Sequence, residues 1–264
     1  MDQTTNLARH DRRRAADRLA EFIAQSVDAA RAVEKPFFHL EFDRVFPDDI
    51  YAQILRLMPD KTDYRPMHGR SKVHDANPTR VKIDLFPEYI RNLPAEKKAL
   101  WDVVGRALCS EPVKQAFVRR LAPGLSKRFG KEFAAVGMYP IPILTRDIPG
   151  YMIPPHTDTR WKGITVQLYL PETDANTDIG TIFHDVLPDG SKPKVTQMRF
   201  APNSGYAFAV GQDTWHSADP VHDRVKTRDS ILLTYFVDQG MLKIMRNRGK
   251  RVGNFVLNEI RHRI

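Results

Sequence analysis

A single cysteine, Cys109, is all the chain carries. No internal disulfide can form, and nothing in the sequence calls for an oxidising compartment. Cys109 itself reads as a small buried apolar residue on a helix. Apolar runs are short; none approaches the roughly 18 residues that a membrane-spanning helix needs. Arg9, Arg12, Arg13 and Arg14 are followed by Asp17, Glu21 and Gln25 rather than by the apolar core of a secretory signal, so the expected location is cytoplasmic. Zinc-finger spacing, an aromatic RNA-binding signature and a long basic stripe are all lacking. The formal net charge of +9 therefore points to a basic surface and to attraction of anionic small molecules, not to nucleic acid. Internal repeats, low-complexity segments and flexible linkers are absent as well, and nothing selects a monomer or a dimer.

What is present is an ordinary globular composition, 42% hydrophobic, in 264 residues, with 19 prolines that suggest turns and strand ends rather than a helical bundle. Leu19, Phe22, Ile23, Val27 and Ala30 recur at helical spacing and predict an amphipathic helix over about Leu7–Val33. Phe37–Phe42 reads as a strand, and Phe46-Pro47-Asp48-Asp49 as a helix start. Residues 59–80 are rich in turn formers and read as a long loop. Two further helical patterns fill Pro94–Phe129, broken near Ser110–Pro112 and Pro123-Gly124. From about residue 130 the pattern changes to short strands: Phe133–Tyr139, Ile141–Arg146, Tyr151–Pro155, Ile164–Leu170, Thr181–Asp185, Val195–Phe200, Tyr206–Val210, Thr214–Ala218 and Ser230–Val237. That density implies a β-sandwich or jelly roll, with the helical first half covering one sheet face. The expected fold class is mainly β with helical support (α+β). One domain over 1–264 is expected: a helical support region (1–130), a catalytic core (131–240) and a C-terminal extension (241–264).

The chemistry concentrates in His156-Thr157-Asp158, followed 58 positions after the Asp by His216 and then by Arg228-Asp229-Ser230. Residues i and i+2 of an extended strand face the same side, so His156 and Asp158 can share one metal ion. Two imidazoles and one carboxylate occupy one face of an octahedral ion and leave the other positions open, a ligand set that suits non-haem Fe(II) and O2 chemistry. A nearby arginine can then clamp a carboxylate bidentately.

At these residues the chain resembles the 2-oxoglutarate- and Fe(II)-dependent dioxygenases, especially the prolyl-hydroxylase-like branch. The similar text runs from Arg146-Asp147-Ile148-Pro149-Gly150-Tyr151 through Pro154-Pro155-His156-Thr157-Asp158, Ile164–Pro171, Gly180-Thr181 and His216 to Arg228-Asp229-Ser230, within about residues 135–237. The resemblance implies a double-stranded β-helix (jelly roll, cupin-like) and an oxidoreductase that uses Fe(II), 2-oxoglutarate and O2 to oxidise, most simply to hydroxylate, a small-molecule substrate. It implies His156, Asp158 and His216 as metal ligands and Arg228 as partner of the distal carboxylate of 2-oxoglutarate, with Ser230 beside it. Tyr169 matches a position that often hydrogen-bonds that carboxylate, and the alternation Thr165, Gln167, Tyr169 puts all three on one strand face. The spacing of 12 from His216 to Arg228 is slightly long for the family, which keeps Arg224 and Lys226 open as alternative clamps. Because Asp158 is present, the resemblance argues for oxygen insertion, desaturation or ring formation and against halogenation.

Weaker candidates for substrate contact are His184, Arg146, Asp147 and Trp161. For each a bland role competes: a satisfied rim histidine, a structural ion pair, surface packing. Trp215 reads as packing support, and His39, His68, His74 and His222 as ordinary histidines. Two other readings fit the same residues: a cupin-like metal enzyme that does not use 2-oxoglutarate, and a non-catalytic jelly-roll binding module.

Overall fold

The computed structural model describes residues 3–67, 78–222 and 224–238. The expected C-terminal extension, His68, His74 and Asp223 lie outside these residues.

Helical periodicity near the N-terminus produces α1 (Gln3–Ala29), whose Leu19, Ala20, Ile23 and Val27 are buried. It packs on α4 (Ala95–Leu108) and α5 (Glu111–Arg120). Asp48 and Asp49 occupy the first turn of α2 (Asp48–Arg56), where acids complement the helix dipole. A short α3 (Pro87–Ile90) precedes α4, and α6 (Ala122–Phe129) follows α5 with Pro123 in its first turn, where the missing N–H costs nothing. Cys109 caps α4 and is half-buried, not fully buried as the sequence suggested.

Among the described residues, twelve strands form two antiparallel sheets. They are β1 (Arg31–Val33), β2 (His39–Phe42), β3 (Arg65–Pro66), β4 (Arg80–Asp84), β5 (Met138–Asp147), β6 (Ile153–His156), β7 (Lys162–Tyr169), β8 (Ile182–His184), β9 (Lys194–Gln197), β10 (Gly205–Ala209), β11 (His216–Ala218) and β12 (Arg228–Val237). The large sheet has the order β1-β2-β10-β7-β12-β5-β4-β3 and the small one β6-β11-β8-β9. Period-2 alternation sorts the large sheet's side chains between two cores. Ile164, Val166, Leu168, Ala207, Ala209, Ile231 and Leu233 join the helices in one apolar cluster. Tyr169, Tyr206 and Phe208 face the other way and meet Phe183 and Ala218 of the small sheet in a second cluster. The functional cavity lies on this second side.

Two expectations change in detail. The stretches read as separate strands around Pro140 become one continuous β5, while Phe133–Ala135 is a 3-10 turn. β4 pairs with β5 as far as Ile143, and beyond it Pro142 only accepts, through its carbonyl, from Leu85 N–H at 3.0 Å, a bond that asks no N–H of a proline. The segment 59–80, read as loop, holds β3 and opens β4, which adds Arg80 to the row Arg80–Asp147–Arg228 across β4, β5 and β12.

Candidate metal centre

β6 is an edge strand, which lets Pro154 and Pro155 sit exposed without breaking a ladder. Its last residue, His156, stands directly opposite His216 on β11, with ring centroids 4.3 Å apart. The ligand distant in sequence is thus a cross-strand neighbour in space. Asp158 lies just beyond the end of β6 rather than within it. One ligand atom from each of His156, Asp158 and His216 falls within 4.8 Å of the others.

The surroundings suit a cation. His156 Nδ1 lies 3.0 Å from Pro154 O and His216 Nδ1 3.0 Å from Thr214 O. A carbonyl only accepts, so in each ring Nδ1 carries the proton and Nε2 the lone pair, the tautomer that ligates metal. Burial lowers the His216 pKa and favours that neutral form. Burial would raise the Asp158 pKa. The Lys162 ammonium, nearby His216, and hydrogen bonds from Lys162 Nζ to Oδ1 and Thr165 Oγ1 to Oδ2, both 2.6 Å, outweigh it and hold the carboxyl at about 2. Asp158 is therefore an anion at neutral pH.

The three residues open into a cavity of about 240 Å³. At another part of its wall are Arg80, Arg228 and Tyr151. Arg228 donates from Nε and Nη2 to Asp147 Oδ2 at 3.1 and 2.9 Å and from Nη1 to Ile179 O at 2.5 Å. Arg80 donates to both oxygens of the same Asp147, at 2.5 and 2.8 Å. The two guanidinium carbons lie 4.1 and 5.2 Å from the centre of the Tyr151 ring. Asp147 is fully buried, and although burial raises its pKa, Arg80 and Arg228 outweigh that and keep it low. Two fixed cations share one fixed anion, leaving one positive charge for a ligand to neutralise.

The remaining sequence candidates separate by position. Thr165 and Gln167 line the cavity. Ser230 lies behind them, its Oγ bonded to Gln167 Nε2 (3.0 Å) and Thr145 Oγ1 (2.9 Å). Tyr169 is also set back: its hydroxyl accepts from Thr181 N–H at 2.9 Å. The tyrosines at the cavity are Tyr151 and Tyr206; Tyr206 reaches Gln167 Oε1 and Thr181 Oγ1 at 3.0 and 2.9 Å. Arg146 faces away and pairs with Asp229 at 2.7 Å. Asp147 touches the cavity only through its two arginines. Trp161 is 47% exposed and off the cavity wall. His184 acts at one remove: Nδ1 donates to Lys192 O (3.0 Å), so Nε2 accepts the proton of Ser217, 2.7 Å away, and it is Ser217 that lines the cavity. Arg224 pairs with Asp178 at the surface and Lys226 is exposed, whereas Arg228 is 3% exposed. Trp215 packs under Lys192, His39 is buried between Phe37 O and Glu41, and His222 is exposed.

Arg80, Tyr206, Ser217 and Lys162 are the residues that reading the sequence did not assign. The alternation in Arg80-Val81-Lys82-Ile83-Asp84 was the available signal for the first; the others needed the register.

The chain matches no protein-family model and no curated protein sequence. Among solved structures it is similar to a prolyl-4-hydroxylase from Pseudomonas putida (13% identity, 83% of this chain and 98% of that one, TM-score 0.47). It is also similar to a prolyl hydroxylase from Trichoplax adhaerens, solved with a hypoxia inducible factor oxygen degradation domain peptide fragment (10% identity, 89% and 94%, TM-score 0.47). A third is an oxidoreductase of the 2OG-Fe(II) oxygenase family from Burkholderia pseudomallei (15% identity, 75% and 85%, TM-score 0.46).

Proposed function

We propose that the protein is a non-haem Fe(II)- and 2-oxoglutarate-dependent dioxygenase, built on a double-stranded β-helix, that oxidises a C–H bond of a small molecule. The observation that carries this is the pairing, in one cavity, of a two-histidine, one-carboxylate cluster with a buried guanidinium floor bearing one uncompensated positive charge.

His156, Asp158 and His216 would hold the metal. Their donor set, two imidazole nitrogens and a carboxylate oxygen, suits Fe(II) and leaves coordination positions open. When bound, iron and 2-oxoglutarate together supply O2 activation, with succinate and CO2 as coproducts and an oxidised substrate. The chain's own residues bind and orient. Thr165 and Lys162 fix the two Asp158 oxygens, so the carboxylate cannot rotate freely. Arg228, steered by Asp147 and by Ile179 O, offers its remaining N–H groups to the distal carboxylate of the cosubstrate, and Arg80 adds charge beside it. Thr181 and Gln167, both held by Tyr206, set the polar wall between floor and metal. Phe208 packs on the His216 ring at 5.2 Å and helps keep water from that side of the ligand set.

The test is anaerobic titration of the Fe(II)-loaded protein with 2-oxoglutarate. A weak visible charge-transfer band is expected in the parent. Arg228→Gln should weaken 2-oxoglutarate binding by about 2–4 kcal/mol, or roughly 30- to 900-fold, with metal affinity little changed. No band in the parent, or unchanged cosubstrate affinity in the variant, would leave a metal enzyme that does not use 2-oxoglutarate.

A further inference from the structure

We infer that the primary substrate is a small aliphatic acid, its acidic group held by Lys162 and Thr159 on the turn that follows the Asp158 ligand. This rests on the oxygenase reading above and names its substrate class.

The charge inventory of the cavity leads there. Among the described residues its charged lining consists of Arg80, Arg228, Lys162 and Asp158, with Asp147 behind the two guanidiniums. At the floor, Arg80, Arg228 and Asp147 sum to one positive charge, which the distal carboxylate of 2-oxoglutarate cancels. At the other end, a divalent ion, Asp158 and the keto-acid carboxylate sum to zero. Lys162 is left over. Its Nζ lies 2.6 Å from Asp158 Oδ1, but the charge of that carboxylate is taken up by the ion. The Lys162 side chain is only 21% exposed, so water solvates it poorly. An ammonium so placed beside a neutral cluster is stabilised when an anion joins it.

Thr159 gives an independent indication. It lines the same cavity, and its Oγ1 is buried with no hydrogen-bond partner among the described residues. Buried hydroxyls without partners are uncommon, and a ligand atom is one way to satisfy them. The Lys162 N–H donates to Thr159 O at 2.9 Å, closing the turn that carries both side chains. One cation and one hydroxyl donor on a single turn suit a carboxylate. The apolar side chains of the cavity wall are Met67, Ile153, Ala218 and Leu232. A cavity of about 240 Å³, partly filled by cosubstrate, is small beside the ~300–1,000 Å³ common for ligand sites and admits a short aliphatic body.

The test uses the full chain loaded with redox-inert Mn(II) and saturating 2-oxoglutarate, titrated calorimetrically with butyrate and with butyramide, its neutral isostere. Butyrate should bind about 10- to 100-fold more tightly than butyramide, the range of a charge-assisted hydrogen bond. Lys162→Met should abolish that preference and Lys162→Arg should keep it. Because Lys162 also orients Asp158, each variant is compared at its own saturating Mn(II) and 2-oxoglutarate, and Thr159→Val should weaken butyrate by about 3- to 10-fold. Equal binding of the two probes by the parent, a preference that survives Lys162→Met, or butyrate affinity unchanged in Thr159→Val would overturn the inference. A parent protein that takes Mn(II) but not 2-oxoglutarate would overturn the oxygenase reading itself.

Discussion

Asp147→Asn isolates the cost of the guanidinium floor. Asp147 accepts four hydrogen bonds, two from Arg80 and two from Arg228, at full burial. The amide keeps the shape but removes the charge, and its NH2 faces donors it cannot bond. Two cations are left near each other with no anion. Breaking one partner out of a buried ion pair costs about 3–5 kcal/mol, a large share of the ~5–15 kcal/mol that holds a domain folded. With an m-value of about 3 kcal/mol/M, the urea midpoint should fall by about 1–1.7 M. Adding Arg80→Gln removes one of the stranded cations, so the double variant should recover part of the loss, with a coupling energy above about 1.5 kcal/mol in the double-mutant cycle. Equilibrium urea unfolding followed by far-UV circular dichroism reads both quantities. A single-variant loss under about 1 kcal/mol, or strict additivity with Arg80→Gln, would refute the picture of one carboxylate shared by two arginines.

Two further outcomes follow from the same geometry. Asp147 and Asp158 both have folded pKa values below the ordinary carboxylate value, because neighbouring cations and hydrogen bonds outweigh the raising effect of burial, and Asp158 is held at about 2. Their contribution is therefore fully present above the unfolded value of about 4 and is lost as pH falls from about 4 towards 2, so the parent's urea midpoint should drop across that window and drop less in Asp147→Asn. At Gly180, an added Cβ would lie 1.8 Å from Met198 O, a backbone atom that cannot swing aside; Gly180→Ala should cost about 3 kcal/mol or more and lower the melting temperature by roughly 6–12 °C in calorimetry.

Much of this arrangement was legible in the residues. Alternation located most strands after residue 130, and the pattern of His156, Asp158 and His216 picked out three side chains that the structure brings together, with Arg228 on the wall of the same cavity. What was hidden depended on pairing between distant segments. Arg80 lay in a stretch dominated by turn formers, and only its register with Asp147 on β5 brings it to the cavity. Tyr169 and Tyr206 are alike in sequence, both on strands with inward alternation; Gln167 opposite Tyr206 decides which hydroxyl stands at the polar wall. His184 looked like a contact residue, and its tautomer, set by Lys192 O, makes it the keeper of a serine proton instead.

The large sheet also bears on how the chain can be divided. β2, with β1 outside it, closes the sheet on one side by pairing with β10, and β4, with β3 outside it, closes it on the other by pairing with β5. Segments before residue 85 thus act as clasps on both flanks of the later strands. A fragment starting near residue 130 would bare β10 and β5 as open ladders, the geometry that invites intermolecular strand addition, and would leave Asp147 one cation short. The early segments and the strands around His156, Asp158 and His216 are therefore stitched along shared ladders, and a cut between them opens a seam on each flank.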